Sequence, residues 1–133
     1  MIVDTSALIA ILQDEPAADA VIDVLDDART PAISAATLLE ASIVADGRRD
    51  PVCSARFDAL VHALDPEIVP VTEEQVRAAR QAFRDYGRGS GHAARLNLGD
   101  CFSYALASVR RQPLLFVGDD FARTDLAPAL RGD

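Results

Sequence analysis

With 133 residues, half of them hydrophobic, the chain can bury one sizeable core and is too short for two ordinary domains, so a single domain over residues 1–133 is expected. A formal net charge of −8 argues against generic adhesion to nucleic acid, which depends on basic surface; a polyanionic partner would need a local exception. No uncharged apolar stretch approaches the roughly 20 residues of a bilayer span, and no basic residue precedes the apolar N-terminal run, so neither a membrane protein nor a secretory leader is expected.

The chain opens on "MIVD", read as a short buried strand that ends in a charge. An ionised carboxylate among apolar residues is costly unless it is paired, hydrogen-bonded or bound to a metal, so Asp4 requires a partner. Thr5 and Ser6 can satisfy free N–H groups at a helix start, and "TSALIAIL" reads as that helix. Pro16 suits a first helical turn, and "AADAVIDVLDDA" places Val21, Leu25 and Ala28 on one stripe of a second helix. "PAIS" is a short strand, with Ser34 placed to cap "AATLLEASIVA". Glu40 lies inside that third helix beside Leu38, Leu39 and Ile43, which makes it a glutamate on a face expected to be buried.

"GRRDPVC" is the clearest polar break, with Gly47 as a helix stop, and "SARFDALVHAL" resumes helical spacing. "EIVPV" reads as a strand, and Thr72 with Gln75 fits a capping box for a helix through Tyr86 that Gly87 ends. A Gly-rich loop runs from Gly87 to Gly99, Asp100 opens the helix "DCFSYALASVRR", "LLFV" is a strong buried strand, and "GDDF" turns at its end. Strands alternating with helices imply an α/β fold: a largely parallel sheet covered on both faces, with ligands gathering beyond the carboxyl ends of the strands. Asp4 and Asp119 fall at such ends.

Cys53 and Cys101 lie far apart, without ligand spacing, and read as reduced thiols of a cytoplasmic protein. Asp4, Glu40, Asp100 and Asp119 stand out as a set. Singly, each has an ordinary explanation: Asp4 and Asp100 as helix caps, Asp119 and Asp120 as turn residues. Together they bring like charges to one edge of a sheet, and the chain has no lysine to offset them, all 13 basic residues being arginine. Like charges that close raise one another's pKa or recruit a cation. An all-oxygen donor set suits Mg²⁺ or Mn²⁺, whereas zinc would call for His and Cys at a spacing that His62, His92, Cys53 and Cys101 do not have.

Four stretches carry a resemblance: "MIVDTSALIAIL", "SAATLLEAS", "YGRGSGHAARLNLGDCFSYALA" and "PLLFVGDDFARTDL", in order and spanning essentially the whole chain. They resemble the PIN-domain ribonucleases, and within them the VapC-type toxins of type II (VapBC) toxin–antitoxin pairs. The resemblance implies a PIN-like three-layer α/β/α sandwich with a short, mostly parallel central sheet. It also implies a Mg²⁺- or Mn²⁺-dependent endoribonuclease whose metal and catalytic acids are Asp4, Glu40, Asp100 and one of the "GDDF" pair. The spacing there is ambiguous, and Asp119 is favoured over Asp120. The implied partners are RNA, a second copy of the chain and a VapB-type antitoxin that lies over the acidic groove and can insert an arginine among the carboxylates.

Other residues have roles consistent with that chemistry. Thr5 and Ser6 are placed to orient the carboxylates, with helix capping as their ordinary role. Arg77, Arg80 and Arg84 share a helix face that leads into Arg88, His92 and Arg95, and Arg88 and Arg95 are the arginines best placed to meet phosphate oxygens. A phosphoacceptor receiver domain also binds Mg²⁺ at strand-end acids, but receivers resembling that pattern use a lysine at a late strand. Haloacid-dehalogenase-like phosphatases would want an acid where Ser6 stands. A non-catalytic PIN-like binding module is the remaining alternative, and retention of all four acids argues against it.

Overall fold

The computed structural model describes residues 1–130, so the last three residues of the expected domain lie outside it. Four short strands form one sheet: β1 (Ile2–Val3), β2 (Ala32–Ser34), β3 (Glu67–Val69) and β4 (Leu114–Leu115), in the spatial order β3-β2-β1-β4. Every pairing is parallel, with Ile2 opposite both Ala32 and Leu114, and Ile33 opposite Ile68. Six helices connect and cover the strands: α1 (Thr5–Leu12), α2 (Ala18–Asp27), α3 (Ala35–Asp46), α4 (Pro51–Leu64), α5 (Glu73–Tyr86) and α6 (Leu98–Arg110).

Successive side chains of a strand point to opposite faces, and the two inner strands divide the core accordingly. Ile2, Ala32 and Leu114 pack into one cluster with Ala82 of α5 and Leu106 and Ala107 of α6. Val3, Ile33 and Leu115 pack into the other, with Leu8 and Leu12 of α1, Val21 and Leu25 of α2, Ala41 and Ala45 of α3 and Phe57 of α4. The result is the expected α/β/α sandwich, with α5 and α6 on one side of the sheet and α1–α4 on the other.

Several helix boundaries differ from the sequence reading, each for a local reason. α4 starts at Pro51 rather than after the polar break, because Asp50 accepts from the Val52 N–H and Pro51 takes the first helical position. α6 starts two residues early, at Leu98, because Asn97 is the cap; Asp100 sits in the third position and completes a reciprocal capping box with it. At α5, Thr72 caps as expected, but the Gln75 side chain donates to the Pro70 carbonyl, so only half of that box forms. The strand read over "LLFV" closes after Leu115, and β3 ends at Val69 before Pro70, which has no N–H to give a ladder.

The largest departure is at α3. Its buried residues are Thr37, Ala41 and Ala45, whereas Leu39 and Ile43 are each 61% exposed. With Val44, Val76, Phe83 and Leu98 they are large apolar side chains open to water on α3, α5 and the start of α6. Among the described residues, no helix is long and apolar enough to cross a membrane.

Leu106, fully buried on α6, and Leu98, three-quarters exposed on the same helix, make a matched pair. Leu106→Ala should lower unfolding free energy by about 2–5 kcal/mol through lost burial and an unfilled cavity. Leu98→Ala should stay within about 0.5 kcal/mol. Urea denaturation followed by circular dichroism measures both.

Candidate active site

β1 ends at Asp4, whose extended backbone (φ −91°, ψ 158°) makes it the N-cap of α1. The ordinary capping role expected for Asp4 is therefore present. Its carboxylate is 3% exposed, and three donors hold it. Oδ2 accepts from the Ser6 N–H (3.0 Å) and the Ser6 hydroxyl (2.6 Å), and Oδ1 accepts from the Ser103 hydroxyl on α6 (2.5 Å). Ser103 gives its only proton to Asp4, so Thr37 must donate in the 3.2 Å contact between the Thr37 and Ser103 hydroxyls. Ser6 also accepts from the Val117 N–H (3.0 Å), which ties the end of β1 to the segment that follows β4.

Glu40 reaches the same place from α3. Its Oε1 accepts from the Thr5 hydroxyl at 2.5 Å, and its other oxygen lies against Gly99, where an added Cβ would overlap the carboxylate. Asp100 enters from the first turn of α6. Burial pushes its carboxyl up from its ordinary 3.8 to about 6; the backbone hydrogen bond at Asn97 opposes this, and the charges of Asp4, Asp120 and Glu40 add to it. Asp4, Thr5, Ser6, Glu40 and Asp100 line one cleft of about 360 Å³, together with Glu15, Asn97 and the apolar Ile9, Val44 and Val117.

Three of the four expected acids thus share one cleft, and the Thr5 and Ser6 hydroxyls bond two of them; neither caps α1 as the sequence suggested, because Asp4 takes that position. The fourth position lies in the turn after β4, where Gly118 (φ +105°) reverses the chain and both Asp119 and Asp120 are exposed. The charge of Asp120 acts on Asp100, and Asp119 is not among the groups that shift it. Arg88 and Arg95 are exposed on the loop before α6 and do not line the cleft. That loop is closed at its base: the Arg88 N–H donates to Leu96 and the Leu96 N–H to Tyr86. Gly89 and Gly91, both at φ +86°, make its turns. Arg77 on α5 pairs with Glu73 one turn away, an exposed contact of little energetic weight.

Ser103, Glu15 and Asn97 were not singled out in the sequence. A serine three residues after Asp100 has no motif of its own, Glu15 lies in a turn after α1, and Asn97 is recognisable only as a cap. Cys101 is buried and its thiol is pushed up to about 11 by burial and by Asp100, which suits the reduced state expected for it.

The donor set is entirely oxygen and its charges are of one sign. Among the described residues, no three His, Cys, Asp or Glu side chains close into a ready-made ligand cage. The mutual pressure on Asp100 is nevertheless of the kind a hard divalent cation relieves, and carboxylate oxygens are the ligands Mg²⁺ and Mn²⁺ take.

A raised carboxyl pKa has a definite consequence for stability. Between pH 3.8 and about 6 the folded chain keeps a proton at Asp100 that the unfolded chain has lost, so stability falls as pH rises through that window. Asp100→Asn retains an acceptor for the capping box and removes the charge. In chelator-treated protein, its melting temperature should exceed that of the wild type at pH 7.5, with the gap closing by pH 4.5. A pH-independent gap in differential scanning fluorimetry would refute the raised proton affinity of Asp100 that burial and its acidic neighbours produce.

The family profile for the PIN domain matches residues 1–126. The chain is 55% identical to "Ribonuclease VapC28" of Mycobacterium tuberculosis over 130 residues, covering 98% of each chain, and 46% identical to "Ribonuclease VapC42" of the same organism over 129 residues, covering 97% of this chain and 98% of that one. Among solved structures, the M. tuberculosis toxin VapC20, described as cleaving the sarcin–ricin loop, superposes with a TM-score of 0.72 over 95% of each chain at 16% identity, a likeness of fold alone. A structure of VapBC-5 from M. tuberculosis superposes with a TM-score of 0.64 at 26% identity, over 98% of this chain and 94% of that one. A near-complete family match, majority identity over almost the full length and a shared fold place this chain in the PIN-domain family, among its VapC members.

Proposed function

We propose that the chain is a Mg²⁺- or Mn²⁺-dependent endoribonuclease, the toxin of a type II toxin–antitoxin pair, neutralised by a VapB-type antitoxin. The observation that carries this reading is the meeting of Asp4, Glu40 and Asp100 at one cleft from three separate elements. The ribonuclease names of the full-length relatives support the substrate class. Asp4, Glu40, Asp100 and an acid of the turn after Gly118 would hold the metal. We assign that fourth role to Asp120 rather than to the Asp119 expected from the sequence, because it is the charge of Asp120 that bears on Asp100. Once bound, the ion supplies the positive charge that lets a phosphodiester approach four carboxylates, and Lewis acidity toward water and phosphoryl oxygen.

The protein's own part is positioning. Ser6 and Ser103 fix the plane of the Asp4 carboxylate, Thr5 fixes that of Glu40, and the capping box fixes that of Asp100, so the oxygens are arranged before substrate arrives. With its pKa raised to about 6, the Asp100 carboxyl exchanges between its protonated and ionised forms near neutral pH in the metal-free chain. Glu40, whose second oxygen has no hydrogen-bond partner among the described residues, is the group we assign to accept the nucleophile's proton. Arg88 and Arg95 would meet the RNA backbone outside the cleft, where their guanidinium groups are free to reach phosphates.

The partners follow from the same family reading. Two structural neighbours are a toxin–antitoxin complex from Klebsiella pneumoniae and a VapBC toxin–antitoxin system from M. tuberculosis. The exposed apolar side chains of α3, α5 and α6 support an assembly, homodimeric and then with antitoxin, that covers what a solitary domain would leave to water.

Purified chain incubated with total RNA should cleave it in Mg²⁺ or Mn²⁺ and not in EDTA. Asp4→Ala and Asp100→Asn should each reduce the rate by at least about 100-fold, the equivalent of several kcal/mol of lost charge stabilisation. Asp120→Asn should fall nearly as far, while Asp119→Asn stays within about threefold of wild type, an exposed turn residue contributing little. Gel-resolved cleavage kinetics would measure all four, and full activity in EDTA or in Asp4→Ala would end the reading.

A further inference from the structure

Gly99 stands between Leu98 and Asp100 in the first turn of α6, in ordinary helical backbone; unlike Gly89 and Gly91, it is not needed for a left-handed turn. What it lacks is a side chain, and the space a side chain would take is filled. A Cβ at this position would overlap Oε2 and the carboxyl carbon of Glu40 and come within 2.8 Å of Oε1. The Glu40 carboxylate is therefore seated on the bare backbone of α6, with Oε1 held from the other side by the Thr5 hydroxyl of α1. Three elements, α1, α3 and α6, meet at this one carboxylate.

We propose that Gly99 is a positioning residue for Glu40: its missing side chain is the seat that brings the glutamate beside Asp100, and any larger residue would push the carboxylate away from Thr5 and from the other acids. This rests on the ribonuclease reading insofar as Glu40 serves the metal and the nucleophile. The seating itself is a property of the metal-free chain.

Two opposing effects make the inference testable. Alanine is the better helix former, so Gly99→Ala by itself stabilises α6. In this chain it also evicts Glu40. Four proteins form the test: wild type, Gly99→Ala, Glu40→Ala and the double variant.

Without metal, Gly99→Ala should raise the melting temperature by about 2–4 °C in the Glu40→Ala background, where the seat is vacant, and by clearly less, or not at all, when Glu40 is present. With Mn²⁺, followed by electron paramagnetic resonance, Gly99→Ala and Glu40→Ala should each weaken binding roughly tenfold, and the double variant should be no weaker than Glu40→Ala alone.

Equal melting shifts in the two backgrounds would overturn the inference whatever the metal does. A coupled melting shift with unchanged Mn²⁺ affinity in Gly99→Ala would overturn it too, by reducing Gly99 to a packing residue, as would a further loss of affinity in the double variant. If the wild type bound no Mn²⁺, the metal-dependent reading of the site would fail, while the melting cycle would still decide whether Gly99 seats Glu40.

Discussion

A carboxylate at the buried end of β1 is the constraint around which the site is organised. Asp4 cannot be left in the interior without partners, and the fold supplies three: two from Ser6 at the start of α1 and one from Ser103 on α6. Each donor comes from an element that would otherwise only pack against the sheet. Ser6 receives in turn the N–H of Val117, and Ser103 receives the proton of Thr37. Satisfying one charge thus fixes β1 against α1, α3, α6 and the segment after β4, which are the elements that carry the other acids. The energetic need of Asp4 and the geometry of the site are one requirement.

The acids around it are treated differently by their surroundings. Asp4 accepts from three donors, whereas the Asp100 carboxylate accepts from one backbone N–H, that of Asn97, set against burial and three negative neighbours, and its proton affinity rises accordingly. Glu40 has one oxygen bonded to Thr5 and the other against the backbone of Gly99. A divalent cation would offset the burial and neighbouring charge that bear on Asp100, and the hydrogen bonds that hold these carboxylates are in place without it. Such preorganisation is what allows a small domain with short strands to present a charged cluster without unfolding around it.

The parts of this arrangement legible in the sequence are those governed by local rules. An apolar run interrupted by Asp, then Thr-Ser, specifies a strand end and a helix start, so Asp4, Thr5 and Ser6 could be read directly. The alternation of strands and helices gave the parallel sheet, and the three-layer packing followed from it. What could not be read depends on contacts between distant positions. Ser103 is an unremarkable serine until α6 lies across β1, and Gly99 resembles a loop glycine until α3 delivers Glu40 to it across 59 positions. Leu39 and Ile43 misled in the opposite direction: their hydrophobicity suggested burial, but they point away from the core that Thr37, Ala41 and Ala45 enter. Apolar spacing cannot distinguish a face buried within one chain from a face left to a partner. Asp119 and Asp120 are adjacent on one exposed turn, and spacing alone does not separate them.

The overall charge of the chain follows the same logic. A protein with net charge −8 is repelled by a polyanion at long range, so its attraction to one must be local and conditional. On the proposed reading, the arginines of the loop before α6 would provide the local part outside the cleft, and a cation among the carboxylates would provide the conditional part at the centre. The centre on its own repels phosphate, so binding and chemistry would be switched on together by the same ion. Cleavage without metal would then require the substrate to enter a field that excludes it, so that the proposed metal dependence would be a property of the electrostatics of the cleft as much as of the reaction step.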